Sequence, residues 1–249
     1  FVLVHGFTQT ARSWDLAGDV LRTELGNVGT DAVTVAVDLP AHGGAPPPPD
    51  SDLWASPDRL AEAGGRGTYD GYSMGGRVSL HAALSRPDVV EGLELIGATA
   101  GIDDAEERSA RRAADGRLAD HIEEIGVTAF IDEWLRNPLF GGLTDSTALR
   151  EDRLRNTATG LAASLRATGT GTQVPLWDRL SEIECPVLVL VGEHDAKFTE
   201  LGKRLVDGLG HADMVVVSDA GHSVHLEQPH ATATAIAHWT VTRGVRHHG

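Results

Sequence analysis

At 249 residues the chain is long enough to bury a full core and is the size of one large α/β domain, and its formal charge of -15 repels polyanions, so nucleic acid and anionic membrane surfaces are excluded as main partners. No run in the sequence approaches the roughly 18 apolar residues of a membrane helix, and no charged-then-apolar signal peptide is expected from its first residues. The single cysteine, Cys185, excludes an internal disulfide and a cysteine metal cluster; it reads as a buried apolar residue in a reducing, cytoplasmic compartment.

The chain opens at Phe1 inside an apolar strand over residues 1–4, as expected if a few preceding residues are missing or unusually few. Ser13 is placed to cap a helix over 14–25. Residues 32–37, AVTVAV, form a second strand, apolar without alternation, as a strand covered on both faces should be. Asp38, Leu39 and Pro40 end it, prolines 46–49 make a stiff loop, a short helix is expected over 57–63, and a short strand leads into Gly71-Tyr72-Ser73-Met74-Gly75-Gly76. A helix over 75–85 and a strand over 90–96 follow.

From 103 to 180 the pattern changes: there is no strand-like run, only charged helical stretches such as 105–126 and 127–136, expected to form a helical cap over the strand ends. The sheet resumes with PVLVLV at 186–191, a helix over 199–209, a strand at 214–217 and a last helix after Pro229. Residues 1–102 and 181–249 therefore read as a core and 103–180 as the cap. Strands alternating with helices imply a mainly parallel sheet with right-handed crossovers.

Function in such a sheet collects at the carboxyl ends of its strands. The Gly-x-Ser-x-Gly string around Ser73 has a steric cause, because a serine on so tight a strand-to-helix turn requires glycine two residues away on either side. Asp195 follows PVLVLV and His222 follows MVVV, giving the order Ser, Asp, His of an α/β-hydrolase fold. Serine alone is a poor nucleophile or base, so His222 would take its proton while Asp195 fixes the imidazole tautomer. Asp219 and Asp38 are the alternatives for the acid, and His5, His42 and His225 read as loop-shaping residues. In that fold His5-Gly6-Phe7 matches the oxyanion loop, so the Phe7 and Met74 amides are the expected donors to a developing oxyanion.

The segments HGFTQTARSW, DLPAHG, GYSMGGR, GIDDAEERSARRAAD, FIDEWLRNPLF, LRATGTGTQ, GEHDAKF and AGHSVHLEQP cover most of the chain in order. On them the chain resembles the 2-succinyl-6-hydroxy-2,4-cyclohexadiene-1-carboxylate synthases of menaquinone biosynthesis. The resemblance implies elimination of pyruvate from a cyclohexene carboxylate with the triad as base, no cofactor and no metal. A polycarboxylate substrate needs cations: Arg77 lies one helical turn after Ser73, and the resemblance adds Arg111 and Lys197, with Tyr72, Trp134 and Phe140 as pocket walls. From the residues alone, Arg108, Arg111 and Arg112 could equally be a solvated face paired with Glu107 and Asp115, and Trp134 and Phe140 could be cap core.

Two departures stand out, a short segment over 43–68 and Asp70 where an apolar strand residue is common. A carboxylesterase would keep the triad but prefer an apolar pocket, against which Arg77 and Arg111 argue. A non-catalytic binding protein would usually have lost a triad member, and none is missing. The sequence sets no oligomeric state.

Overall fold

Parallel strands joined by helical crossovers bring every strand's carboxyl end to one edge of the sheet, and in this chain that edge carries the candidate chemistry. A computed structural model of the chain describes residues 1–46 and 55–243. Its strands are β1 (Val2–Val4), β2 (Val35–Val37), β3 (Gly67–Tyr72), β4 (Val90–Ile96), β5 (Val187–Gly192) and β6 (Ala212–Val217), in the order β2-β1-β3-β4-β5-β6 and all parallel. The chain leaves β1 for β2 on one side and returns past β1 to β3 on the other. The order therefore reverses between β1 and β3, which is where a crevice opens in a doubly wound sheet.

The core helices are α1 (Asp15–Asn27), α2 (Ala55–Gly64), α3 (Met74–Ser85), and, after the cap, α7 (Ala196–Gly208), α8 (Val224–Glu227) and α9 (Pro229–Arg243). The cap inserted between β4 and β5 holds α4 (Ala105–Trp134), α5 (Arg150–Arg153) and α6 (Ala158–Thr168). On one sheet face Leu3, Ile96, Leu188 and Leu190 pack with Leu21 and Leu25 of α1 and Ile236 and Trp239 of α9. On the other, Val4, Leu93, Leu95 and Val189 pack with Leu60 of α2, Val78 of α3 and Leu205 of α7. The period-two alternation along β4 and β5 sends successive side chains to these two layers. The cap has its own small core of Ile122, Phe130, Ile131 and Leu161.

Local chemistry sets the element ends. Asp104 accepts the Glu107 N–H to start α4 and Thr157 accepts the Gly160 N–H to start α6. Within α4, Gly126 leaves helical geometry at φ 80° and ψ 164°, so two helices abut at the boundary read between 126 and 127. Half-buried Cys185 packs against the core before β5, and burial pushes its thiol up to about 11.

Several expectations need correcting. The second strand is only Val35–Val37, with Val33 75% and Val35 37% exposed; among the described residues it lies at the sheet's edge with one neighbour and is not covered on both faces. Ser13 does not cap α1: a 3-10 turn over Ala11–Trp14 precedes the helix, Thr10 accepts the Arg12 N–H, and Ser13 is buried within the turn. The strand before the elbow is six residues long and Asp70 lies buried within it, registered between Leu3 and Glu94. Of the proline loop, residues 47–49 lie outside the described residues. Among the described residues, no helix is long and apolar enough to cross a membrane.

Candidate active site

Ser73 sits between β3 and α3 with φ 51° and ψ -105°, a backbone state a serine adopts only when its surroundings hold it there. The flanking glycines make the turn possible: a Cβ on Gly71 would fall 2.5 Å from the Gly76 Cα, and one on Gly75 would fall 2.3 Å from the Val4 carbonyl oxygen. These are backbone atoms, which cannot swing aside. Met74 is the first residue of α3, so its N–H has no intrahelical acceptor and is free to serve a ligand; Phe7 follows the end of β1 in the same crevice.

From the loop after β6, the His222 Nδ1–H donates to Asp195 Oδ2 at 2.8 Å, and Nε2 lies 3.3 Å from the Ser73 hydroxyl that donates to it. Both His222 and Asp195 are buried, and Asp195 also caps α7 by accepting the Phe198 N–H. The imidazole contacts the rings of Tyr72 and Phe198, at centroid distances of 5.3 and 4.4 Å. A Cβ on Gly97 would come within 2.8 Å of the His222 ring, so glycine there leaves room for it. This hydrogen-bonded line can carry a proton from Ser73 to His222 while Asp195 balances the imidazolium.

The competing acids are occupied elsewhere. Asp38 accepts the Ala11 and Gly44 N–H groups, and Asp219 is exposed, its N–H donating to Glu193. His5 accepts the Leu39 N–H on Nε2 and donates from Nδ1 to the Gly6 carbonyl. Burial lowers His5 and takes His42 and His225 down to about 3, which keeps all three neutral. Glu193, His194 and Asp219 bring one ligand atom each within 4.8 Å of one another, but all are exposed at the surface.

Ser73 and His222 open onto a cavity of about 200 Å³ between sheet edge and cap. Phe7, Tyr72, Trp134 and Phe140 wall it; Arg77, Arg111 and Lys197 supply its cations. The Tyr72 ring faces the cavity while its hydroxyl shares a 2.7 Å hydrogen bond with Ser223 Oγ. Trp134 and Phe140 also touch each other and Trp134 packs on the cap core, so they are both wall and core. Arg77 is 6% exposed, donates to the Thr168 carbonyl at 2.7 Å, and is pushed down to about 10 by burial and then by Arg111. Arg111 donates to Asp115 Oδ1 at 2.7 Å, the pairing a solvated helix face would make, yet also borders the cavity. Exposed Lys197 lies at the mouth, its ammonium 5.6 Å from the centre of the Phe198 ring.

Residues 1–235 match the model of the alpha/beta hydrolase family. The chain belongs to the alpha/beta hydrolase family. It is 33% identical to a Bacillus subtilis (strain 168) protein that carries the name 2-succinyl-6-hydroxy-2,4-cyclohexadiene-1-carboxylate synthase provisionally, over 92% of this chain and 85% of that one. A Salmonella agona (strain SL483) protein of the same name is 31% identical over 95% of this chain and 91% of its own. Among solved structures, MenH from S. aureus superposes with a TM-score of 0.86 at 27% identity, covering 98% of this chain and 93% of that one. The chain is thus an enzyme on an α/β-hydrolase fold.

Around this hydrolase-fold site stand residues to which the sequence alone gave no role in the site. Arg153 of α5 is 1% exposed, donates to the Ala148 carbonyl and to Thr8 of the loop after β1, and lies 5.8 Å from the Phe140 ring centre; burial lowers it to about 10. Buried Asp115 holds both Arg111 and the Gly171 N–H. Glu227, in the turn after His222, accepts N–H groups from both sides of that histidine. A buried arginine betrays itself only by burial, and Glu227 only by the way the short helix α8 folds back on the His222 loop.

Proposed function

We propose that the protein is a lyase of menaquinone biosynthesis that eliminates pyruvate from 2-succinyl-5-enolpyruvyl-6-hydroxy-3-cyclohexene-1-carboxylate to give 2-succinyl-6-hydroxy-2,4-cyclohexadiene-1-carboxylate. One observation carries the reading beyond the family: the line from buried Asp195 through buried His222 to half-buried Ser73 opens onto a cavity in which, among the described residues, no carboxylate bonds to the Arg77 guanidinium. In this reading Ser73, with His222 accepting its proton, removes the ring proton next to the succinyl ketone. The C–H electrons become the C2=C3 bond, the C3=C4 pair moves to C4=C5, and the C5–O bond breaks to release enolpyruvate, which takes up a proton as pyruvate. The Phe7 and Met74 amides receive the enolate oxygen that builds up on the ketone. Arg77, Arg111 and Lys197 are assigned to the three carboxylates, and a bidentate arginine contact orients such a group as well as attracting it. A cytoplasmic setting belongs to the same proposal.

The test is direct. Purified protein given the synthesised substrate should release pyruvate, and Ser73→Ala and His222→Ala should each remove most of that activity without adding, because the two act as one unit. Pyruvate release at near wild-type rate by folded Ser73→Ala would overturn the triad assignment. No release by the wild type, with turnover of simple esters instead, would overturn the substrate.

A further inference from the structure

We infer that Glu227 is a positioning residue for His222, acting as a carboxylate clamp on the loop that carries the base. One of its oxygens, Oε2, accepts the Gly221 N–H at 2.6 Å and the other, Oε1, accepts the Ser223 N–H at 2.9 Å. These are the residues immediately before and after His222. Two oxygens of one carboxylate can reach amides two residues apart only if the intervening residue bends so that both N–H groups converge, the arrangement by which backbone concavities bind anions. The clamp therefore fixes the backbone from which the His222 side chain leaves.

The rest of the imidazole's environment sets its rotation but not its origin. Asp195 holds Nδ1 and the rings of Tyr72 and Phe198 make tilted contacts with the imidazole. The Nε2 to Ser73 Oγ separation of 3.3 Å leaves no slack for proton transfer, since a displaced loop would lengthen it beyond hydrogen-bond reach. Both partners of the clamp are donors, so the group must accept twice; a carboxylate does, whereas an amide would turn a donor toward one of them. The clamp has an outside neighbour as well. A Cβ on Gly142, in the cap loop after Phe140, would fall 1.9 Å from Glu227 Oε2 and 2.7 Å from its Cδ, so glycine there leaves the carboxylate in place.

The inference rests on the triad reading above, and a probe that does not involve the natural substrate separates the two. A fluorophosphonate labels the serine when Ser73 Oγ displaces fluoride from phosphorus and its proton passes to His222. Glu227→Gln keeps the size of the side chain but loses one acceptor. It should slow labelling and kcat together by roughly ten- to a hundredfold, the scale of an ångström-level misplacement of a catalytic group, with KM little changed. It should also broaden the downfield Nδ1–H resonance of His222 and shift the acidic limb of the labelling rate against pH. A merely structural residue would lower the melting temperature and leave the labelling rate and pH profile of the folded fraction unchanged.

Gly142→Ala supplies a second variant that touches neither Glu227 nor the triad covalently: its methyl should push the carboxylate off the loop and reproduce the loss. Gly141→Ala, whose Cβ would meet, among the described residues, only the Pro138 carbonyl at 3.3 Å, should not. Wild-type labelling rate and pH profile in Gly142→Ala, or in folded Glu227→Gln, would overturn the clamp. A wild type that labels readily but releases no pyruvate would sink the proposed reaction while leaving the clamp to stand or fall on its own variants.

Discussion

Arg77 is nearly all buried, yet its guanidinium is held by the Thr168 carbonyl and, at 3.4 Å, by the Gln173 amide oxygen, neither of which neutralises it. Burial of such a charge opposes folding unless a ligand or a distant carboxylate compensates, so the residue is better explained by what enters the cavity than by stability. Arg77→Ala should lower kcat/KM for pyruvate release by roughly ten- to a hundredfold, the worth of one charge-assisted contact, while sparing cleavage of a small neutral ester. Arg77→Lys should rescue little, because an ammonium cannot hold a carboxylate bidentately and give up a donor to Thr168 as well. Parallel loss of both reactions would mean that Arg77 only supports the fold. The position of Arg77 was readable because the elbow fixes the register of α3 relative to Ser73. Arg153 was not, because Arg150, Arg153 and Arg155 lie within one short stretch and only tertiary placement separates them: Arg150 pairs at the surface with Asp132 and Glu151, and Arg155 is exposed beside Asp152. Position in sequence cannot say which of three arginines the fold will bury.

Elements were legible where their pattern was long or their punctuation strong. The strand at Val90–Ile96 and the helix beginning at Pro229 agree with their sequence ranges because apolar content and proline chemistry act locally. The edge strand was misread because an unbroken apolar run looks the same whether or not a helix covers it; burial belongs to the sheet order, which no single strand encodes. Gly126 lies between these cases. Its φ and ψ fall in a region almost reserved for glycine, and it separates the amphipathic first part of α4 from the segment bearing Phe130, Ile131 and Trp134. Among the described residues nothing lies within 4 Å of where an alanine Cβ would stand, so the substitution would be penalised by backbone strain alone. Gly126→Ala should cost about 1–3 kcal/mol and lower the melting temperature by several degrees. Gly116→Ala, in the same helix with equally open surroundings but ordinary helical geometry, should instead gain about 0.5–1 kcal/mol. Calorimetry on the pair checks the signs; a stabilised Gly126→Ala would mean that the break is not held by the fold.

At the scale of the whole molecule, a net charge of -15 loads the surface with carboxylates, and two more are buried in the sheet itself. Asp70 of β3 and Glu94 of β4 are directly registered on adjacent strands, in the layer between the sheet and α1 and α9 that Leu3 and Leu188 otherwise fill with apolar surface. Both are 0% exposed, and among the described residues no third group donates to their oxygens. Like charges so placed cannot both ionise: burial raises Asp70 to about 6, and burial together with the Asp70 charge raises Glu94 well above its usual range. The fold therefore binds protons here more tightly than the unfolded chain does. By linkage this pair's contribution to stability is full below the unfolded carboxylate values near 4 and declines as pH rises through about 6 and beyond, the reverse of a salt-bridged carboxylate. Surface acids repelling one another add a decline of the same sign, so the wild-type curve alone does not isolate the pair. The Asp70→Asn/Glu94→Gln double variant keeps the shapes and removes both titrations. Its stability relative to wild type, read from urea midpoints at matched ionic strength, should grow with pH from 4 to 8 by on the order of a few kcal/mol. A difference that stays constant over that range would show that the two carboxyls titrate alike in the folded and unfolded chain, and the raised titration of the buried pair would have to be given up.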